Sequence, residues 1–174
     1  EAIRHTIKAV GTLRANESIM IRPEIAGRIR QICFQEGQAV EKDQLLIEMD
    51  DSELQAELTQ AAAQLKVSRL TYERLKQLDL DGKRYVTKQQ LDEVAGALQV
   101  SQAHHALYAT RLAKTKIRAP FAGMTGIRRV SPGDFVGTGL DLVNLEDLDQ
   151  LKIDFKVPET LLRHLASGQT IDLT

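Results

Sequence analysis

Residues 21–47 read IRPEIAGRIRQICFQEGQAVEKDQLLI, and residues 117–143 read IRAPFAGMTGIRRVSPGDFVGTGLDLV. The two stretches align without a gap, because every matched pair of residues differs by 96 in number. Short apolar runs alternate with glycine and proline in both copies, which is typical of strands joined by turns. An internal repeat of this kind constrains the architecture more than any single motif does. We therefore expect two halves of one small β-domain, separated by an insertion.

The composition excludes several classes of protein. The chain has 174 residues, enough for one ordinary domain or two small ones. Apolar residues make up 43% but aromatic residues only 4%, which favours thin layers and paired helices over one thick core. A net charge of −1 argues against a nucleic acid or an anionic lipid as partner. The single Cys33 excludes an intrachain disulfide and a thiolate metal cluster.

The outer parts of the chain have strand-like patterns. Residues 1–10 alternate apolar and polar side chains, which predicts a strand whose partners lie elsewhere, and residues 11–50 predict several short strands. Towards the other end we expect a strand over residues 148–157, a short helix over 159–166 and another strand from 169. Because both ends interrupt a pattern, we expect the chain to be part of a longer protein. No apolar run approaches the ~20 residues that cross a bilayer.

A helical hairpin is predicted between the two halves. From Ser52 the apolar spacing alternates between four and three residues, which indicates a helix ending near residues 79–82. A second seam follows Thr87, which with Gln90 has the pattern of a capping box. Two helices of roughly 27 residues joined by a short turn form an antiparallel coiled coil about 40 Å long. The predicted seam consists of Leu54, Leu58, Leu65, Tyr72 and Leu75 in the first helix and Leu91, Val94, Leu98, His105, Tyr108 and Leu112 in the second.

The seam also predicts a register and leaves outer faces. If the numbers of facing residues sum to 166, Leu65 lies opposite Ser101 and Ser68 opposite Leu98, so that large residues face small ones. Outside the seam both helices carry further alanines, which would allow other helices to approach closely. The alternative is that alanine is simply the best helix former.

The ordered set of motifs resembles a known family. Residues 22–29 with 36–40, and 117–123 with 132–136, resemble the two halves of a biotinyl/lipoyl domain. Split by a hairpin and followed by residues 151–159, they resemble the periplasmic adaptor (membrane fusion protein) family of tripartite efflux pumps, in its branch associated with resistance-nodulation-division (RND) transporters. The resemblance covers essentially the whole chain.

The resemblance implies an α+β fold made of three parts. Residues 11–50 and 116–147 would form a split lipoyl-like β-sandwich, and residues 51–115 an inserted antiparallel α-helical coiled-coil hairpin. Residues 1–10 with 148–174 would be part of a β-barrel domain.

The resemblance also implies a function without catalysis or cofactor. Such a protein lies in the periplasm, anchored to the inner membrane through a segment outside this chain. It links an inner-membrane transporter to a TolC-like outer-membrane channel, and its copies assemble into a ring, expected to be a hexamer built as a trimer of dimers. The alternatives are an adaptor for an ABC or major-facilitator exporter or a type I secretion system, a coiled-coil scaffold, and a biotinyl/lipoyl carrier subunit.

The hairpin tip is the candidate partner-binding site. Members of the family resemble one another in an R-x3-L-x6-S pattern across the tip, and here the match is Lys76, Leu80 and Thr87. Arg74 and Leu78 have the R-x3-L spacing but lie two residues too far from Thr87. Lysine keeps the charge of arginine without its planar fork. The alternative is that Thr87 only caps a helix and that the cations form a solvated face.

Carrier and metal chemistry fit the sequence poorly. A carrier domain holds its modified lysine at the turn where this chain has residues 47–51, which contain none. His104 and His105 are adjacent on a helix and point about 100° apart, so they cannot chelate one ion together. We expect His105 to be a core imidazole in the seam. Catalytic triads, phosphate-binding glycine loops and paired carboxylates do not stand out, and we expect no enzymatic activity.

Overall fold

A computed structural model describes residues 9–80, 86–158, 160 and 166–170, and only the backbone of residues 79 and 80. In this part of the chain, none of the helices has the length and apolar character needed to cross a membrane. The elements in chain order are β1 (Gly11–Ile21), β2 (Gly27–Ile32), β3 (Ala39–Val40), β4 (Leu45–Met49), α1 (Ser52–Leu80), α2 (Lys88–Ala113), β5 (Lys116–Arg118), β6 (Gly123–Thr125), β7 (Phe135–Val136) and β8 (Val143–Phe155).

The strands form two antiparallel sheets in which equivalent strands of the repeat occupy equivalent places. Their orders are β1-β8-β6-β3 and β5-β4-β2-β7. Adding 96 to the residue numbers of β1 and β3, or subtracting 96 from those of β8 and β6, leads to the strands at the equivalent places in the second sheet. The registers of the paired strands agree as well. Ile21 pairs with Val143 in the first sheet, and Ile117 pairs with Ile47 in the second. The predicted α+β fold with a split β-sandwich is thus confirmed, and the two halves of the repeat form one domain related by an approximate twofold.

Each sheet takes two strands from each half of the repeat. The first sheet contains β1 and β3 from the first half with β6 and β8 from the second. A half by itself would leave the edges of its strands unpaired, and unpaired strands are only marginally stable in water. The two halves must therefore fold together.

Equivalent turns keep equivalent geometry. Gly37 and Gly133 both have positive φ, at 72° and 94°, where a glycine avoids the strain that a Cβ would cause. The Gly37 amide donates to the Thr125 carbonyl at 2.9 Å, and the Gly133 amide donates to the Ile29 carbonyl at 2.8 Å. These bonds tie each turn to the opposite half of the repeat.

The core lies between the two sheets and is made of matched pairs. The buried side chains include Val40 with Val136, Leu46 with Leu142, Ile47 with Val143 and Met49 with Leu145. At one pair of equivalent buried positions an apolar residue is matched by a polar one, since Thr125 occupies the position equivalent to Ile29. Its hydroxyl lies 3.0 Å from the Gln35 carbonyl and 3.1 Å from the Gln38 carbonyl, so that burial leaves no polar group unpaired.

The hairpin has the predicted limits. Helix α1 ends at Leu80, and α2 follows Thr87 with both hydrogen bonds of the capping box present. The helices contain 29 and 26 residues, which makes α1 about 43 Å long. Wherever side chains are described, every residue of the predicted seam is buried or half-buried, and most of the helical surface between is exposed.

A serine pair at the middle of the hairpin differs from the predicted register. The hydroxyls of Ser68 and Ser101 lie 2.8 Å apart, although the register paired them with Leu98 and Leu65. Ser101 is also within hydrogen-bond distance of the Ala97 carbonyl, at 3.0 Å. Because the two hydroxyls can hydrogen-bond to each other, the helices make a polar contact between neighbouring layers that the apolar pattern did not reveal.

The long strands correct one part of the prediction. Residues 11–50 do not hold only short strands, because β1 has 11 residues. The strand predicted for residues 148–157 is the second part of β8, a single strand of 13 residues that pairs with β1. The proposed boundary at residue 147 therefore falls inside a continuous strand, beside a register shift between Ala15 and Glu17. The family resemblance had suggested a boundary that the pairing of β1 with β8 bridges.

Several predicted elements fall partly outside the described residues. They are most of the strand over residues 1–10, most of the helix over 159–166 and the end of the strand from 169. The turn residues 81–85 also lie outside them. The division into lipoyl-like and β-barrel parts remains a proposal.

Candidate functional site

The hairpin tip is held on the α2 side by the cap at Thr87. Its backbone is extended, with φ −79° and ψ 152°, which points the hydroxyl back over the first turn of the helix. The Gln90 amide donates to the Thr87 hydroxyl at 3.2 Å, and the Thr87 amide donates to the Gln90 side chain at 2.9 Å. Val86 beside it is only 8% exposed. Thr87 itself is exposed, so it both caps α2 and remains available on the surface.

The other predicted tip residues lie on the last two turns of α1. Arg74 and Lys76 are exposed, and the Lys76 ammonium lies 5.7 Å from the ring centre of Tyr72. Leu78 is 39% exposed. Leu80 is the last residue of the helix, and its side chain lies outside the described part. The described side chains at the α1 end of the tip thus present an exposed leucine beside two cations.

The turn that leads into the hairpin contains two carboxylates that contact the start of α1. Asp50 accepts hydrogen bonds from the Ser52 hydroxyl at 2.8 Å and the Ser52 amide at 3.1 Å, and these bonds lower the pKa of its carboxyl. Asp51 is buried, accepts from the Gln55 amide group at 2.8 Å and lies 3.9 Å from Arg30. Both carboxylates stabilise the N-terminal end of α1, where the helix dipole favours negative charge. The turn therefore starts a helix and displays no modifiable group.

The root of the hairpin is fastened to the base. The Met49 amide donates to the Thr115 carbonyl at 2.9 Å, which joins the end of β4, where the chain leaves for α1, to the residue before β5, where it returns from α2. Lys114 forms an ion pair with Glu24 at 2.8 Å. Since β4 and β5 are paired neighbours in one sheet, the helices leave the base side by side.

The sides of the hairpin carry two shallow grooves. The larger, about 520 Å³, lies beside Ala61, Ser68, Ser101, His104 and Tyr108. Within the described residues, no three metal-ligating side chains are close enough to hold an ion. His105 is half-buried in the seam, where it was expected. Sequence reasoning placed Ser68 and Ser101 in the seam but missed their contact with each other, and it missed the burial of Asp51, because spacing along the chain does not show which side chains meet.

Comparison with known proteins identifies the family. Residues 17–146 match the family described as RND MFP, barrel-sandwich hybrid domain, where MFP stands for membrane fusion protein. The chain belongs to this family. The barrel-sandwich hybrid corresponds to the paired sheets and the inserted hairpin, and the family resemblance inferred from the sequence is confirmed.

Similar proteins share this part of the chain at moderate identity. An uncharacterised protein of Haemophilus influenzae is 33% identical over 168 residues, which is 97% of this chain and 44% of that protein. Multidrug resistance protein MdtA of Pectobacterium atrosepticum is 29% identical over 189 residues, covering 97% of this chain and 45% of the relative. The chain thus spans less than half the length of these relatives.

Solved structures show the same fold. A MacA–MexA chimera carrying the Pseudomonas aeruginosa MexA α-hairpin domain superposes with a TM-score of 0.83 at 26% identity, over 92% of this chain and 58% of that one. A putative efflux transporter from Bacteroides eggerthii superposes with a TM-score of 0.74 at 24% identity, over 93% and 52%. The hairpin inserted into a split β-sandwich is therefore a fold found in other proteins of this type.

Proposed function

We propose that this chain forms the base and hairpin of a periplasmic adaptor in a tripartite efflux pump. The tip of the hairpin binds a TolC-like outer-membrane channel, and the base binds an inner-membrane transporter. Copies assemble into a ring, a hexamer arranged as a trimer of dimers, that seals the path between the two membranes. The adaptor is anchored to the inner membrane through a segment outside this chain, and it works by assembly without catalysis or cofactor.

The observation that carries this proposal is the position of the hairpin. It leaves the sandwich between β4 and β5, at the turn that would hold the lysine of a carrier domain, and the carboxylates at residues 50 and 51 begin a helix there instead. A rod of about 40 Å fastened to a rigid sheet can bridge a gap between two proteins. Because the turn at residues 47–51 has no lysine, it lacks the swinging arm on which a carrier subunit depends.

An RND transporter is the proposed inner-membrane partner. The match to the RND membrane fusion family favours this branch over adaptors of ABC or major-facilitator exporters and of type I secretion systems. Relatives named multidrug resistance proteins support drugs as the exported class. The adjacent transporter gene provides a direct check on the branch.

The contacts proposed for the outer-membrane channel are the five tip residues. They are Arg74, Lys76, Leu78, Leu80 and Thr87. Four of them, all except Leu80, have side chains that the structure describes, and those four are exposed. Since Thr87 also caps α2, its replacement by alanine would cost about 0.5–2 kcal/mol of stability. A loss of export in that variant would not distinguish lost docking from lost folding. Asparagine keeps a capping oxygen and changes the exposed surface.

Drug susceptibility tests the function and the tip together. Deleting the gene is expected to raise susceptibility to exported drugs, and the intact gene to restore resistance. The variant Leu80→Ala/Thr87→Asn is expected to fold as the parent does but to lose export. Glu41→Gln, at an exposed position on the base, is the matched control and should restore resistance fully. Normal export by the tip variant would refute the docking assignment, and unchanged susceptibility on deletion would refute the adaptor role.

A further inference from the structure

Val86 is a buried apolar residue at the far end of the hairpin. Only 8% of its surface is exposed, whereas residues 87–90, which follow it, are all exposed. Because α2 has 26 residues, its start lies about 39 Å from the sandwich. Side chains at the tip, and not the sandwich core, must therefore bury Val86.

The cap at Thr87 defines the place of Val86 at the start of α2. Thr87 is the N-cap of the helix, so Val86 is the residue before the cap. The Leu91 amide donates to the Thr87 carbonyl at 3.1 Å, which places Leu91 one turn into the helix. An apolar residue before the cap often packs against an apolar residue at the position of Leu91, a contact called a hydrophobic staple. Val86 and Leu91 have the spacing of this contact.

Leu91 connects the staple to the seam of the hairpin. It is the first seam residue of α2, Leu75 is the last seam residue of α1, and both are half-buried. A valine packed on Leu91 therefore lies at the tip end of the seam, where both helices shield it from water. This position accounts for the burial of Val86 so far from the core.

The hydrogen bonds of the capping box hold the start of α2 less firmly than an apolar contact would. The bonds between Thr87 and Gln90, at 3.2 Å and 2.9 Å, join two exposed residues, so water competes for both of them. Water offers no substitute for the contact between Val86 and Leu91. The staple thus fixes the angle at which the chain enters the helix, which the capping box alone does not.

We propose that Val86 is the positioning residue of the hairpin tip. Its contact with Leu91 fixes the backbone before the cap, so that Thr87 presents its exposed side chain to the outer-membrane channel in a single orientation. Val86 is buried too deeply to touch a partner itself, and it acts on docking through Thr87. This inference rests on the proposed function, in which Thr87 is one of the contacts.

Substitution of Val86 in the complete protein tests this role. Val86→Ser is expected to reduce drug resistance to the level of the gene deletion. Hydrogen–deuterium exchange at residues 86–91 should become about fivefold faster, as expected for a weakened cap. Val86→Ile keeps the apolar contact and should retain resistance and slow exchange.

The matched control is a valine of equal burial in the base. Val130 is 7% exposed in the sandwich core, so Val130→Ser makes the same chemical change far from the tip. Compared at equal amounts of protein in the cell envelope, this variant should export normally. Its exchange at residues 86–91 should equal that of the parent.

A double-mutant cycle tests the contact between Val86 and Leu91. Val86→Ala and Leu91→Ala should each lower the temperature at which helicity is lost. The double variant should lower it by less than the sum of the two shifts, because residues in contact lose the same interaction. Additive shifts would overturn the staple.

Two further results would contradict the positioning role. Normal export by Val86→Ser would show that docking does not depend on Val86. Loss of export in Val130→Ser as well would show that export follows stability and not the geometry of the tip.

The exchange measurement is independent of the proposed function. If exchange rises in Val86→Ser but deletion of the gene leaves susceptibility unchanged, the staple stands and the adaptor role is refuted. If deletion raises susceptibility while Val86→Ser exports normally, the adaptor role stands and the positioning role is refuted.

Discussion

Thr125 and Ile29 occupy equivalent positions in the two halves of the repeat, and both are fully buried. The isoleucine fills the core, whereas the threonine contacts the turn at residues 35–38 through its hydroxyl. An approximate twofold repeat can therefore carry a polar group on one side only, provided that the group finds partners nearby. The equivalent turn at residues 131–134 is closed in the same way, because the Ser131 amide donates to the Asp134 side chain at 2.8 Å just as the Gln35 amide donates to the Gln38 side chain at 2.8 Å. The Thr125 hydroxyl is what the first turn has in addition.

Replacing Thr125 by valine removes the hydroxyl and keeps the shape. We expect a loss of about 1–3 kcal/mol in the free energy of unfolding, since the hydroxyl no longer donates to the carbonyl of Gln35 or Gln38 and no longer accepts from the Gln38 backbone amide. Urea unfolding measures the change. Ile29→Val, which removes one methylene at the equivalent position, is the control and should cost less. A Thr125→Val variant as stable as the parent would show that the hydroxyl contributes nothing.

Replacement by alanine is expected to destabilise the protein at Gly123 and to stabilise it at Gly96. At Gly123 an added Cβ would lie 2.5 Å from the Glu146 carbonyl oxygen, so Gly123→Ala must force β6 away from β8. We expect a loss of about 2 kcal/mol or more. At Gly96 the surface of α2 is open, and Gly96→Ala should gain about 0.5–1 kcal/mol because alanine is the better helix former. Thermal unfolding of both variants checks the contrast, and a stable Gly123→Ala protein would contradict the close strand contact.

At the scale of the element, the hairpin shows how little of a two-helix rod is truly buried. Most described seam residues are only half-buried, and Ala61 and Ser101 are the buried helical residues of the seam. Small residues at the middle bring the helices close together, while larger ones flank them. The rod gains stability from its fixed root and its caps as well as from the seam.

Leu98→Asp tests the seam at one position. A carboxylate between the helices loses the apolar contacts of leucine and pays for partial desolvation, so we expect a loss of about 2–4 kcal/mol. Helicity measured by circular dichroism should fall, and the thermal transition should move to lower temperature. Gln99→Asp changes the adjacent exposed residue and should have little effect. A melting curve unchanged by Leu98→Asp would refute the assignment of Leu98 to the seam.

At the scale of the whole molecule, the base and the hairpin are joined at one point. Strands β4 and β5 are paired, with Ile47 beside Ile117 and Glu48 beside Lys116. The sandwich core contains no residue of α1 or α2. The base therefore has the geometry of a complete domain into which the hairpin was inserted.

Removing the hairpin should leave the base folded. Joining Met49 to Thr115, which face each other across the strand ends, through Asn-Gly converts β4 and β5 into a tight hairpin, since this dipeptide favours the turn that such strands need. We expect a cooperative unfolding transition and dispersed amide resonances, with the helical signal lost. A shortened chain that lacks a cooperative transition would show that the base depends on α1 and α2. The same protein should fail to restore export, because it keeps the base but has no tip.

The sequence by itself determined the parts of this protein that depend on neighbouring residues. The spacing of Leu54, Leu58 and Leu65 predicts a seam, and Thr87 with Gln90 predicts a cap, because helical periodicity and capping involve residues within one or two turns. The offset of 96 likewise needed no coordinates, and it led to the split domain and to its family.

Only the tertiary structure decided which distant segments meet. The pairing of β1 with β8 runs through a position that the family resemblance had suggested as a boundary, and the pairing joins residues more than 120 apart in the chain. The contact between Ser68 and Ser101 and the burial of Thr125 are decided in the same way. Strand register and buried polar contacts depend on which segments pack against each other. A local sequence pattern predicts whether a residue is buried, but it does not identify the residue that buries it.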